Sequence, residues 1–155
     1  MLIPLDFLKA ECTLSWEGVH GFRHWQRVRN NGLRLANFTG ASIEIVELFS
    51  VLHDLKRLND DYDPDHGKRA AEFIRTIQGN RIFLAEDDLE MLCYACEFHT
   101  SGLMKADITV QTCWDADRLD LGRVGIRPDK DRLCTDAAKD PSIMNWAYAM
   151  SQAFS

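Results

Sequence analysis

Apolar residues recur along most of this chain at intervals of three and four, the spacing that lays a single stripe along the side of an α-helix. Leu5, Leu8 and Cys12 stand at i, i+3 and i+7 and predict a short bracing helix from Pro4 to Cys12. His24, Val28, Leu35 and Ala36 fall near one face of a helix from Gly21 to Thr39, which Gly40 stops. Ala41 to Asp54 continues with Ile45, Leu48, Phe49 and Leu52 inward, and His53, four residues after Phe49, inherits that direction. Leu55 to Asp65 is rich in Asn and Asp and contains Pro64, so it reads as a loop. Ala70, Phe73, Ile74 and Ile77 mark the next helix, and one turn back along their stripe lies His66. Glu86, Asp87 and Asp88 suit the positive end of a further helix, whose inward face runs through Leu92, Ala95, Cys96 and His99.

Beyond Gly102 the stripe is less regular. A short extended segment is expected at Ile108 to Val110. Trp114, Asp117 and Leu121 then share a face, so Asp117 projects inward while Asp115 and Asp120 are expected to face elsewhere. Asp140 followed by Pro141 is an N-cap with proline at the first helical position, and Ile143, Trp146, Ala147 and Met150 form the stripe of a last helix. There is no repeat, no low-complexity stretch and no alternating strand pattern. The expected fold is all-α, one domain over residues 1–155.

Composition narrows the functions. The 155 residues are 46% hydrophobic and 27% charged, enough to bury a substantial core. A formal charge of -6 argues against a nucleic-acid partner held by a broad basic surface. Five cysteines, an odd number, read as reduced thiols, and Cys93 and Cys96 as two small buried residues one turn apart. No apolar run reaches the roughly 20 residues of a membrane span, and the amino terminus lacks the features of a signal peptide. These features predict a soluble, cytoplasmic protein with no membrane partner; its oligomeric state is left open.

Against that background the stretch Val51 to Ala71 stands out, because it sets His53 and Asp54 side by side and brings in His66 after a polar loop. One histidine on an apolar face is commonly a hydrogen-bonded core residue. Here His24, His53, His66 and His99 all take inward positions on separate predicted helices, joined by Asp54 and Asp117. Burying so many polar groups without partners costs about 1 to 3 kcal/mol each, whereas metal ions satisfy imidazole and carboxylate together. Asp115 is the rival of Asp117 as last ligand, and helical phase favours Asp117.

These residues resemble the HD-domain superfamily of metal-dependent phosphohydrolases. The superfamily's order of a helical histidine followed by Arg-Val, then His-Asp, then a distant Asp before a basic residue and Leu, reads here as HWQRV from His24, His53-Asp54, and Asp117 in DADRLD. The resemblance spans about residues 19–125, with 126–155 as a C-terminal helical packing segment. It implies an HD-type helical bundle with a metal site between the central helices. His66 and His99 match the branch that holds two metals, with Asp54 as the bridge. A nucleotidase-like branch carries glutamate three residues after the HD aspartate, where this chain has Arg57. A cation there is similar to the HDxxK pattern of other HD hydrolases. The longer stretches HDLKRLNDDYDPDHGKRA and CWDADRLDLGRVGI look like small bacterial HD-domain proteins of unassigned activity.

The implied reaction is hydrolysis of a small phosphate ester, nucleotides among the candidates, through a metal-activated water. The implied cofactors are one or two divalent ions from among Fe, Mn, Zn, Ni, Co and Mg. A divalent ion screens the phosphate charge and lowers the pKa of bound water to about 7 in favourable cases. Asp54 and His53 are the catalytic candidates, Asp54 as acceptor of the water's proton. Lys56, Arg57, Arg69 and Arg118 are the nearest cations for phosphate oxygens, and His20, four residues before His24, can line the pocket or bond the turn at Gly21. Two other classes share the ligand pattern. One is a mixed-valence di-iron HD-type oxygenase, the other a non-catalytic sensor or binding module braced by metal.

Overall fold

The structure is a computed structural model that describes residues 3–153. Helices form where the apolar stripes run. They are α1 (Leu5–Glu11), α2 (Phe22–Thr39), α3 (Ile43–Leu52), α4 (His66–Ile77), α5 (Glu86–Glu97), α6 (Ile108–Arg118), α7 (Asp136–Lys139) and α8 (Pro141–Ala153). Short 3-10 turns cover Leu121–Val124 and Lys130–Arg132. Among the described residues an isolated bridge between Gln78 and Ile82 is the extent of β pairing. The fold is all-α, and no described helix is long and apolar enough to cross a membrane.

Helix ends follow local chemistry. Gly40, at φ 74, takes the left-handed conformation that closes α2 and returns its N–H to the Ala36 carbonyl. The Ser42 hydroxyl accepts the Ile45 N–H at 3.3 Å and opens α3. The extended segment expected at Ile108 to Val110 is instead the first turn of α6. The Asp107 carboxylate accepts the Thr109 N–H at 2.8 Å, and this cap outweighs the β preference of the Ile-Thr-Val run. Asp140 accepts the Ser142 N–H at 2.8 Å and starts α8.

α3 is the centre of the packing. Seven of its residues from Ile45 to Leu52 are buried, and it touches α2, α5 and α6. α2 packs on α3 and α6, while α4 pairs with α5. A smaller cluster, Leu35, Leu119, Leu133, Ala138, Ile143 and Ala147, fastens α7 and α8 to the far end of α2. On α1, Leu8 is buried but Leu5 is 43% exposed, so the stripe expected there is narrower than its spacing suggests.

The close approach of α4 to α5 depends on Gly67. A Cβ at that position would lie 2.5 Å from the Cys96 carbonyl oxygen and 2.6 Å from that of Glu97. Hydrogen in its place lets the first turn of α4 sit on the last turn of α5. His66 and His99 are thereby brought side by side.

Candidate metal centre

The six residues predicted as metal ligands stand at or near helix ends that meet around the end of α3. His24 is in the first turn of α2, His53 and Asp54 follow the last turn of α3, and His66 opens α4. His99 lies just past α5, and Asp117 is in the last turn of α6. The carbonyl ends of α3, α5 and α6 converge here, a field that favours cations. His24 and His53 are fully buried, Asp54, His66 and His99 nearly so, and the Asp117 side chain is 15% exposed.

Asp54 divides the cluster between its two oxygens. Oδ2 lies 3.4 Å from both the His24 and His53 Nε2 atoms. Asp117 Oδ1 closes this side at 3.3 Å from His24 Nε2 and 3.4 Å from His53 Nε2. Oδ1 of Asp54 faces the other pair, 3.2 Å from His66 Nε2 and 3.3 Å from His99 Nε2. The paired Nε2 atoms approach within 3.1 Å for His24 and His53 and 2.9 Å for His66 and His99.

The opposite ring nitrogens determine what those Nε2 atoms offer. Nδ1 of His53 donates to the Phe49 carbonyl at 3.0 Å, that of His66 to the Asp63 carbonyl at 2.6 Å, and that of His99 to the Cys96 carbonyl at 2.6 Å. His24 Nδ1 lies 2.6 Å from the Asp120 carboxylate. A carbonyl oxygen only accepts, so each Nδ1 that meets one carries the proton and each Nε2 presents a lone pair inward. Between His66 and His99 two lone pairs then face each other at 2.9 Å, which is repulsive until a cation stands between them. Four imidazole nitrogens and two carboxylates are the donors that divalent transition metals accept, so the residues fit such ions.

The electrostatics agree. Burial opposes charge on Asp54, but the surrounding His53, His24, His66 and His99 hold its carboxyl well below the usual range. Burial likewise opposes charge on Asp117, and His24 and His53 hold it well down. Burial and the Arg123 charge push His24 down, yet Asp117, Asp120 and Asp54 outweigh them and raise it to about 9. Asp54 and Asp117 thus set two ionised carboxylates among the four histidines.

The remaining predicted residues divide. Arg57 stays close, its Nε 3.4 Å from Asp54 Oδ1 and its Nη1 on the Asn59 and Asp61 carbonyls at 3.3 Å. With His66 and Lys68 it lines a groove of about 550 Å³. His20 is buried beside His24, with its Nδ1 on Asp60 at 2.7 Å rather than on the turn at Gly21, and burial lowers its pKa. Arg118 reaches the neighbouring cleft but donates to the Leu103 carbonyl at 2.8 Å. Two cations do not join the cluster. Lys56 turns away to Glu11, 2.8 Å from Oε2, and its ammonium lies over Phe73, so it fastens α1. Arg69 grips both oxygens of Asp63 at 2.5 and 2.6 Å and braces the 55–65 loop.

Asp115 and Asp120 correct the expectation that both face elsewhere, since both are fully buried. Asp115 accepts the Cys134 and Thr135 N–H groups at 2.7 and 2.8 Å and the Thr135 hydroxyl at 2.8 Å, so it ties down the segment before α7. Asp120 backs the site. One oxygen meets His24 Nδ1 and the other accepts from Arg27 Nε at 2.7 Å. Regular helical phase misplaces Asp120 because α6 ends at Arg118 and a 3-10 turn follows. The signal present in the sequence is its place three residues after Asp117, matched by Arg27 three residues after His24.

No family model and no curated protein matches the chain. Among solved structures it is similar to a predicted HD superfamily hydrolase from an uncultured Thermotogales bacterium. The two share 21% identity at a TM-score of 0.71, over 94% of this chain and 83% of that one. The all-helical architecture is therefore an HD-domain fold.

Proposed function

We propose that this protein is a metal-dependent phosphohydrolase acting on a small phosphate ester, with nucleotides among the candidate substrates. The observation that carries the reading is the division of Asp54, one oxygen toward His24 and His53 and the other toward His66 and His99. His24, His53, Asp54 and Asp117 would hold one ion, and His66, His99 and Asp54 a second. Bound divalent ions supply Lewis acidity, acidifying water and offsetting the phosphate charge. The chain's own residues do the rest. Asp54, held ionised at neutral pH, would accept the proton of an attacking water. His53 is held by the Phe49 carbonyl with its Nε2 turned to the reacting space. Arg57, beside Asp54, can meet a phosphate oxygen. The similar solved protein, described as a predicted hydrolase, supports the same class. We place the protein in the cytoplasm as a single domain.

The same donor set also suits a di-iron oxygenase, so the test must separate the two. Phosphate release from a panel of esters is measured under strict anaerobiosis with Mn or another divalent ion, then with iron and oxygen. Release that persists without oxygen is expected. Turnover that needs both iron and oxygen would hand the site to the oxygenase reading. Metal-dependent stability with no turnover would leave a sensor or binding module.

A further inference from the structure

A cavity of about 770 Å³ opens beside the ligand cluster, with His99 and Asp117 in its wall. Its size is that of a small-molecule site and leaves room for most of an organic molecule beyond a phosphate group. The other walls come largely from the irregular chain after α6. Leu121 and Ile126 offer apolar surface, and Ile126 is 53% exposed although it lines a cleft. Arg118, Arg123, Arg127 and Arg132 bring four guanidinium groups to the same cavity, against the grain of a chain whose net charge is -6.

The four arginines are not equivalent. Arg118 is committed to the Leu103 and Arg132 carbonyls at 2.8 and 3.0 Å, and Arg123 to those of Val19 and Asp120 at 3.0 Å each. Arg127 lies with its guanidinium 4.0 Å over the Tyr148 ring, a stack that occupies its face and leaves its N–H edge open. No described side chain or carbonyl engages the Arg132 guanidinium. Asp129 and Asp131 line the same cavity. Asp129 caps the Asp131 N–H at 2.9 Å, and among the described residues neither Asp129 nor Asp131 forms a close ion pair with an arginine.

We propose that the cleft selects phosphate esters whose organic part is elongated and ends in a second anionic group. The phosphate end sits at the histidine and aspartate cluster, the body lies against Leu121 and Ile126, and the distal anion meets Arg127 and Arg132. A planar guanidinium with a free edge is the group that grips a carboxylate or phosphate by two parallel hydrogen bonds. The phosphate end of this inference rests on the phosphohydrolase reading, while the distal end rests on the arginines alone.

The test uses two probes of equal chain length, hexyl phosphate and 6-phosphonooxyhexanoate, which differ in a terminal carboxylate. Calorimetric titration of the Mn-loaded full chain should show the carboxylate probe binding about tenfold tighter or better. In the Arg127→Gln/Arg132→Gln protein the two probes should bind within about threefold of each other. Arg132→Gln alone, at an exposed side chain with no partner among the described residues, should narrow the gap with no loss of folded protein. Equal affinities in the natural chain, or a preference that survives the double substitution, would overturn the proposal. Phosphate release from both probes is followed in parallel. A carboxylate preference without release upholds the distal site and removes the hydrolase reading; release without preference does the reverse.

Discussion

His24 differs from the other three inward histidines in having a carboxylate, rather than a backbone carbonyl, at its Nδ1. Asp120 lends that ring negative charge, and Arg27 holds Asp120 from the next turn of the same helix. A buried group of this kind orients a ligand and raises its basicity, and its loss typically costs 10- to 100-fold in metal affinity. Asp120→Asn should therefore weaken the tightest metal binding by roughly that factor while the helical circular dichroism is kept, as read by competition with a chelating dye. A change below about threefold would reduce Asp120 to a packing role. The same carboxylates set a pH dependence. In the metal-free protein His24 is raised from an ordinary 6.5 to about 9. Its contribution to stability is then full below about 6.5 and is lost as pH rises through about 9. Metal binding runs the other way, since the ligand must shed its proton, so affinity should rise with pH up to about 9. Thermal unfolding of metal-free and loaded protein at several pH values measures both trends. At Asp54, the Asn substitution keeps the size and removes the shared charge, and most phosphate release should disappear with it.

Among the elements, the junction of α4 and α5 has the least slack. The Cys96 carbonyl that a Gly67 methyl would strike is also the acceptor of His99 Nδ1. Gly67→Ala must push α4 away from α5 and disturb that ring's anchor in one stroke. It should cost about 1 to 3 kcal/mol in denaturant unfolding and loosen metal held by His66 and His99 more than metal held by His24 and His53. Equal weakening of both positions would count against this account. The same junction marks what could be read from sequence. The stripes through Ile45, Leu48, Phe49 and Leu52, and through Ala70, Ile74 and Ile77, specify their helices, and their phase carries His53 and His66 inward. Phase fails where regular helix ends. Asp120 lies past the end of α6, so its burial depends on a 3-10 turn that no 3.6-residue rule anticipates. Lys56 and Arg69 sit near the HD pair in sequence but are claimed by Glu11 and Asp63, contacts that depend on how the chain folds back. Arg127 and Arg132 come from an irregular stretch with no period to reveal the wall they share.

On the scale of the whole molecule, the ligand set runs from His24 to Asp117 and draws on five of the helices or their ends. Only the folded chain brings those groups together, so any ion bound there must stabilise the fold. At a hundredfold excess over the dissociation constant the gain is about 2.7 kcal/mol. For a domain of this size that is roughly 5 to 10 °C in Tm, removable by a chelator and visible by calorimetry. The gain should not be shared equally. One side of Asp54 has His24, His53 and Asp117 as further donors, with Asp120 behind them; the other has His66 and His99. More donors and more negative charge bind a divalent ion more tightly, so metal should load in two steps. His66→Ala should abolish the weaker step and leave the tighter one, whereas His24→Ala should remove the tighter step. Metal titration followed by Tm separates these outcomes, because the tighter step carries most of the stabilisation at low metal. A single step lost to the same extent in both variants would mean that the four histidines and Asp54 act as one undivided site.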